Sequence, residues 1–350
     1  MKKLTSLGLL LLLTACATPD LSGFSRESTK LAALTKAELY HMSSAYAEVG
    51  KKEQEKSVKA SEKVVNASLK AIVGYSDALK SLSESGENGS EAVNIAVGHF
   101  DSLHNTLKPL LGDGLGLTSA SLNIATSAVK KIGDFVQAQQ ANQSLRSIVE
   151  QAQPAVEGMR DLVLMAFSYC RDQGASPCAP RSIGTPTEPQ GQWAQAVTAI
   201  TDARRLKIEQ EFGDDVIAVI KFIQLKRNDL YASYLRELQQ SETASPKFCV
   251  GEGDCVDPDT IETLARLDER RAALLPELEA YQARIDASKS WQKSRLSNGA
   301  VIVDAVQVWV EEHAKVAEAL QECRFNVQRC RSVDGTELAS VLINGLNAGE

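Results

Sequence analysis

The feature that most constrains this chain is a spacing of apolar residues that alternates between three and four positions. Four stretches follow it, beginning at Val58, Leu145, Leu264 and Ile302. A period of about 3.5 residues keeps one face of a helix against a neighbouring helix and implies left-handed supercoiling. No run of alternating apolar and polar residues, the pattern of a strand, competes with it. The sequence therefore predicts an all-α fold, an elongated antiparallel helical bundle with coiled-coil-like heptad packing.

Glycine, proline and short polar runs predict where the helices end. We expect helices over roughly 28–84, 90–111, 118–169, 192–240, 257–290, 300–324 and 337–346. Gly50 is expected to bend the first helix, and residues 297–299 to form a hairpin or a break. Pro154 and Pro276 lie inside heptad runs, and each should kink or interrupt its helix. The long heptad runs leave little sequence for a second core, so a single elongated domain is predicted over 29–350.

The N-terminus has the pattern of an export signal. Lys2 and Lys3 precede an apolar run from Leu4 to Leu13, which is far shorter than the ~20 residues that a membrane-spanning helix needs. The run ends in Leu13-Thr14-Ala15-Cys16. This order resembles the bacterial lipobox, in which an aliphatic residue and two small residues precede a cysteine that is lipidated. An ordinary signal peptide with a chance cysteine is the alternative.

The resemblance implies a lipoprotein signal peptide over residues 1–15, cleavage before Cys16, and acylation of the Cys16 thiol and the new amino group. Several acyl chains together anchor a protein stably, whereas one chain gives only marginal anchoring. Ala17 stands where an aspartate would indicate inner-membrane retention. We therefore expect an outer-membrane location, lipid-anchored and either periplasm-facing or surface-exposed. Residues 16–28 are predicted to form a lipidated tether.

The remaining cysteines favour structural disulfides. Beyond Cys16, the six others fall into three close pairs, Cys170–Cys178, Cys249–Cys255 and Cys323–Cys330. An exported protein meets oxidising conditions, and local pairing is the simplest of the connectivities that six cysteines allow. Zinc or redox chemistry is the alternative, but no Cys-x-x-Cys motif occurs.

No catalytic constellation is found, so neither an enzyme activity nor a metal or cofactor is predicted. The motifs of serine hydrolases and zinc proteases do not occur. The glycine-rich stretch at 112–116 follows a predicted helix and lacks the Gly-Lys-Ser/Thr ending of a phosphate loop. His99, Asp101 and His104 are close in sequence, but on a helix the two histidines point in different directions. A formal net charge of -7 disfavours nucleic-acid binding.

Several polar and aromatic residues have a structural interpretation beside a functional one. His313 is expected to be a hydrogen-bonded core histidine, with a pH-sensitive seam as the alternative. Arg271 is interpreted as a polar layer or a snorkelling side chain rather than a ligand clamp. Trp193, Trp291 and Trp309 are expected to pack between helices.

Two charged segments are interpreted in the same way. Four carboxylates within 252–259 favour helix capping and solvated charge over calcium binding, because the EF-hand spacing is missing. The lysines between 51 and 70 are mixed with glutamates and predict a solvated helix face. Contact with anionic lipid headgroups is the alternative for these lysines.

Two functions of different kinds remain open. The first is a non-enzymatic envelope lipoprotein that acts as a structural or protein-interaction module, with the membrane and another envelope protein as its partners. The second is a membrane-active protein of the α-pore-forming kind, or an immunity lipoprotein against such a toxin. The second hypothesis depends on residues 107–136, which are rich in leucine, alanine, serine and glycine and could rearrange.

Overall fold

The computed structural model describes residues 18–85, 90–112, 119–138, 145–167, 192–212, 272–325 and 332–347, with isolated positions between 226 and 269. Its helices are α1 (Ser22–Glu48), α2 (Lys52–Ser85), α3 (Ser90–Gly112), α4 (Ser119–Ala138), α5 (Leu145–Phe167), α6 (Gln192–Phe212), α7 (Leu275–Phe325) and α8 (Thr336–Asn347). These ranges contain no strand, so the predicted all-α bundle is confirmed. Coiled-coil geometry stays a prediction.

The chain divides into two compact units, where one domain over 29–350 was expected. One unit consists of Met1–Ile200 with Lys293–Glu350, and the other of Thr201–Gln292. Both boundaries fall inside helices, α6 and α7. Because an uninterrupted helix keeps its residue spacing across such a boundary, the heptad pattern gave no sign of the division.

The first two helices form an antiparallel hairpin, and the prediction of one bent helix over 28–84 was wrong. Gly50 has a positive φ of 72°, and its N–H bonds to the carbonyl of Ala47 at 3.1 Å. A glycine in the left-handed region just after the last helical residues is a common helix terminator. The chain therefore reverses at Gly50, and α2 packs along α1.

The bundle also begins earlier than predicted, because α1 starts within the segment interpreted as a tether. Leu21, Phe24 and Ser28 are fully buried. The segment 18–28 thus packs against the bundle and contributes these side chains to its core. The tether prediction failed because polar residues between the apolar ones hid the helical spacing.

Two further helix predictions need correction. The segment 118–169 was expected to be one helix, but α4 and α5 are separate helices that pack against each other. Residues 297–299 were expected to form a hairpin or a break, but they lie inside the continuous helix α7. Pro154 also lies within a continuous helix, α5, at an exposed position, whereas Pro276 lies in the first turn of α7, where a missing N–H costs little.

The core of the first unit is built around aromatic side chains. Tyr75 and Phe135 each contact Phe100 edge-on, with ring centroids 4.8 Å apart, and these contacts join α2, α3 and α4. Phe24 stacks on Trp309 at 6.1 Å and joins α1 to α7. Such aromatic pairs are worth roughly 0.5–1.5 kcal/mol each beyond the area that they bury.

The second unit has its own contacts between α6 and α7. The Arg204 guanidinium lies over the Trp291 ring, 4.2 Å from its centroid. The Phe212 ring meets the Tyr281 ring edge-on, with centroids 5.7 Å apart, and Arg284 pairs with Glu211.

Within the described ranges, no helix is both long and apolar enough to cross a membrane.

Candidate functional site

A cleft of about 330 Å³ lies where α1, α2, α5 and α6 meet, close to the turn between the first two helices. Helices α1, α5 and α6 supply mostly apolar or small side chains. The larger ones are Leu39, Met42, Tyr46, Met165 and Trp193. Alanines of α5 and α6 leave the space between them open, because a methyl group fills little volume.

The wall formed by α2 differs in chemistry from the rest of the cleft. It presents Gln54, Ser57 and Ser61 around a single apolar residue, Val58. Gln195 adds one further amide from α6. No charged side chain is among the residues that line the cleft in the described part of the chain, so the cleft is amphipathic but uncharged.

Trp193 has a fixed position in this lining. Its indole Nε1 donates to the backbone carbonyl of Arg295 at 2.9 Å, and its ring lies 4.5 Å from that of Phe167. A Cβ atom at Gly299 would come within 2.4 Å of Nε1. Glycine is therefore needed at 299 so that α7 can approach the indole.

A buried ion pair lies behind Trp193. Glu38 is 2% exposed, and its Oε1 accepts from Arg295 Nη1 and Asn298 Nδ2, each at 2.7 Å. Burial raises the pKa of Glu38, against the opposing effects of the Asn298 hydrogen bond and the Arg295 charge. Its other oxygen, Oε2, is buried without a hydrogen-bond partner among the described residues.

A polar cluster joins α2, α5 and α7 elsewhere in the core. The fully buried His313 is 2.8 Å from Tyr75 Oη through Nε2, and 2.7 Å from Gln153 Oε1 through Nδ1. Because the amide oxygen can only accept, Nδ1 carries the proton and Tyr75 donates to Nε2. Burial lowers the His313 pKa to about 3. The expected hydrogen-bonded core histidine is thus confirmed.

The first described residues are clamped at the opposite end of the α1–α2 hairpin. Thr18 donates to the Ser83 carbonyl, and Ser83 donates to the carbonyl of Pro19. The Val333 N–H bonds to the carbonyl of Asp20 at 3.0 Å. The N-terminal segment is therefore held both by the end of α2 and by the segment before α8.

The two histidines of α3 pack against different neighbours, as their spacing predicted. The His99 ring lies against Gly74 of α2, whereas the His104 ring lies against Gly133 of α4. His104 Nδ1 is 3.3 Å from the Val129 carbonyl. Each ring occupies the space left by a glycine, so both histidines act in helix packing.

The tryptophan and lysine predictions are also confirmed. Each tryptophan contacts another helix, as the contacts of Trp193, Trp291 and Trp309 with Phe167, Arg204 and Phe24 show. The lysines of α2 between 52 and 70 are exposed. Lys59 pairs with Glu55 at 2.5 Å within this face.

The predicted lipid and disulfide sites lie outside the described residues. These are Cys16, Cys170, Cys178, Cys249, Cys255 and Cys330. Cys323 lies near the end of α7, so all three pairings stay predictions. Arg271 and the acidic loop 252–259 also lie outside. In the described part of the chain, no cluster of histidine, cysteine and carboxylate side chains could hold a metal ion.

No protein-family model, curated protein sequence or solved structure shows significant similarity to this chain.

Sequence reasoning missed the cleft and the buried ion pair. The cleft is assembled from four helices, and Glu38 and Arg295 are 257 positions apart. One signal was present, because Glu38 continues the helical spacing of Leu31 and Thr35, which are both fully buried. Its partner could not be found without knowing which helices meet.

Proposed function

We propose that this chain is a non-enzymatic lipoprotein, anchored to the outer membrane through Cys16, that serves as a structural or protein-interaction module of the cell envelope. The supporting motif is the order of basic residues, apolar run and lipobox at the N-terminus. Multiple acyl chains on Cys16 would supply an anchor that the described helices do not.

The observation that carries this proposal is the clamp on the first described residues. Only Ala17 separates Cys16 from Thr18, which already bonds to Ser83. A bundle attached so closely to its lipid would stand directly on the membrane surface. The cleft at Met42 would then lie about 30 Å farther along α1, at ~1.5 Å per residue, and face potential partners.

Lipid attachment is tested by replacing the acceptor thiol. We expect wild-type protein to incorporate a labelled fatty acid and to sediment with outer membranes. Cys16→Ser should lose the label and leave the outer-membrane fraction. Ala17→Asp serves as the matched control for destination, because it should keep the label but move the protein to the inner membrane. Labelling that persists in Cys16→Ser would refute the assignment.

The interaction role needs a separate measurement. Crosslinking in intact cells followed by purification should recover a defined envelope protein with the wild-type chain. The same partner should be lost with Cys16→Ser if anchoring brings the two proteins together. Recovery of nothing above background from wild-type cells would count against the interaction role and leave the lipid assignment intact.

The packing of α4 favours this role over membrane insertion. Ile132 and Phe135 are buried in the bundle, and Lys131 lies 3.4 Å from Asp161 of α5. Insertion of α4 into a bilayer would have to break these contacts. Release of dye from liposomes by micromolar unlipidated protein would instead support the pore-forming alternative.

A further inference from the structure

The cleft between α1, α2, α5 and α6 has the size of a small-molecule site. Its volume is about 330 Å³, within the range of roughly 300–1,000 Å³ that ligand pockets occupy.

The lining defines the chemistry of an occupant. Leu39, Met42 and Met165 offer apolar contact on one side, while Gln54, Ser57 and Ser61 offer hydrogen bonds on the other. A charged ligand would lose its hydration without gaining an ion pair, which is costly. A neutral molecule with an apolar body and one polar edge matches both walls.

The cleft combines an adaptable wall with a rigid one. Methionine side chains are flexible and polarizable, so Met42 and Met165 can adjust to different shapes. Trp193 cannot adjust in this way, because its indole is bonded to Arg295 and packed on Gly299 and Phe167. A fixed aromatic face reduces the conformational entropy that the protein must lose when a ligand binds.

We propose that this cleft is a binding site for an uncharged amphipathic small molecule, held between the α2 hydroxyl and amide groups and the apolar wall around Trp193. This site is independent of lipid attachment at Cys16. It adds a ligand-dependent element to a protein whose proposed role is otherwise structural.

The experiment uses the full mature chain carrying Cys16→Ser, so that no detergent is present. Binding of the neutral fluorescent probe N-phenyl-1-naphthylamine is measured by titration. We expect saturable uptake of about one probe per chain. Two separate variants, Ala196→Leu and Ser61→Leu, place a larger side chain in the cleft from opposite walls and should each weaken probe binding at least tenfold.

Ala33→Leu is the matched control, because it makes the same change at an exposed position of α1 outside the cleft. It should bind the probe as the parent chain does. Thermal unfolding identifies any variant that fails to fold, and either filling variant alone suffices for the comparison. The proposal would be overturned if the parent chain took up no probe or took it up without saturation. It would also be overturned if the folded filling variants bound the probe as tightly as the parent chain.

Discussion

His313 is fully buried, and both of its ring nitrogens are engaged in hydrogen bonds. Protonation would place a charge in the core and force Nε2 to donate towards a hydroxyl that already donates to it. Burial therefore lowers the pKa of His313 from 6.5 to about 3. The unfolded chain binds a proton near pH 6.5 and the folded chain does not, so this residue makes the protein more stable at neutral than at acidic pH.

Replacing His313 with glutamine should remove this pH dependence. The glutamine amide can still accept from Tyr75 and donate to Gln153, while it no longer titrates. The contribution of His313 to the free energy of unfolding is full well above pH 6.5 and is lost progressively as the pH falls towards 3. Between pH 7.5 and 5.5 the wild type should lose about 1.4 kcal/mol of unfolding free energy more than the variant does. Urea unfolding at both pH values measures the difference.

Equal pH dependence in the two proteins would show that the pKa of His313 is the same in the folded and unfolded chains. His41→Gln is a suitable comparison, because His41 lies at an exposed position of α1. Its pKa is lowered by partial burial and by the Arg295 charge, so the effect on the pH profile should have the same sign as that of His313→Gln and be smaller.

At the scale of elements, glycines decide whether a heptad run stays one helix or becomes two. Gly50 has a positive φ and ends α1, whereas Gly299 lies inside α7 against Trp193. Each is a single glycine in a long helical pattern, so the sequence predicted a bend at Gly50 and a hairpin or a break at residues 297–299. The heptads correctly predicted buried residues such as Ile72, Met159 and Val306. They did not predict which helices pair, because the same spacing continues across a reversal.

A glycine that ends a helix and a glycine inside a helix should respond oppositely to replacement by alanine. Gly50→Ala should lower the unfolding free energy by about 1 kcal/mol, because the left-handed conformation is strained for a residue with a Cβ atom. Gly98 lies in the middle of α3 with no atom within 4 Å of an added Cβ. Gly98→Ala should therefore raise the unfolding free energy by roughly 0.5–1 kcal/mol. Urea unfolding of both variants tests the assignment, and a stabilising Gly50→Ala would contradict the turn.

At the scale of the first unit, the N-terminal segment and the segment before α8 form one clamp. A Cβ at Gly23 would lie 2.0 Å from the Asp334 carbonyl oxygen, so the two backbones touch here. Asp20 and Asp334 each accept a backbone N–H two residues later, which fixes the start of α1 and of α8. The sequence placed α8 correctly but gave no sign of this contact, because it joins residues more than three hundred positions apart.

The clamp depends on the burial of α8. Leu338 is fully buried, whereas Ile343 on the same helix is 54% exposed. Leu338→Ala should lower the unfolding free energy by about 2–5 kcal/mol, while Ile343→Ala should change it by no more than about 0.5 kcal/mol. Loosening α8 should also release the Val333 N–H from the Asp20 carbonyl.

Hydrogen exchange distinguishes this local loosening from a general loss of stability. In Leu338→Ala, amide exchange at Val333 and in the first turn of α1 should accelerate more than exchange at the middle of α2, near Ile72. Ile343→Ala should leave all three regions as in the wild type. If Leu338→Ala accelerates exchange equally in all regions, then α8 stabilises the bundle as a whole. Because Cys16 precedes the clamp directly, a selective effect would make α8 the element that fixes the bundle to its proposed anchor.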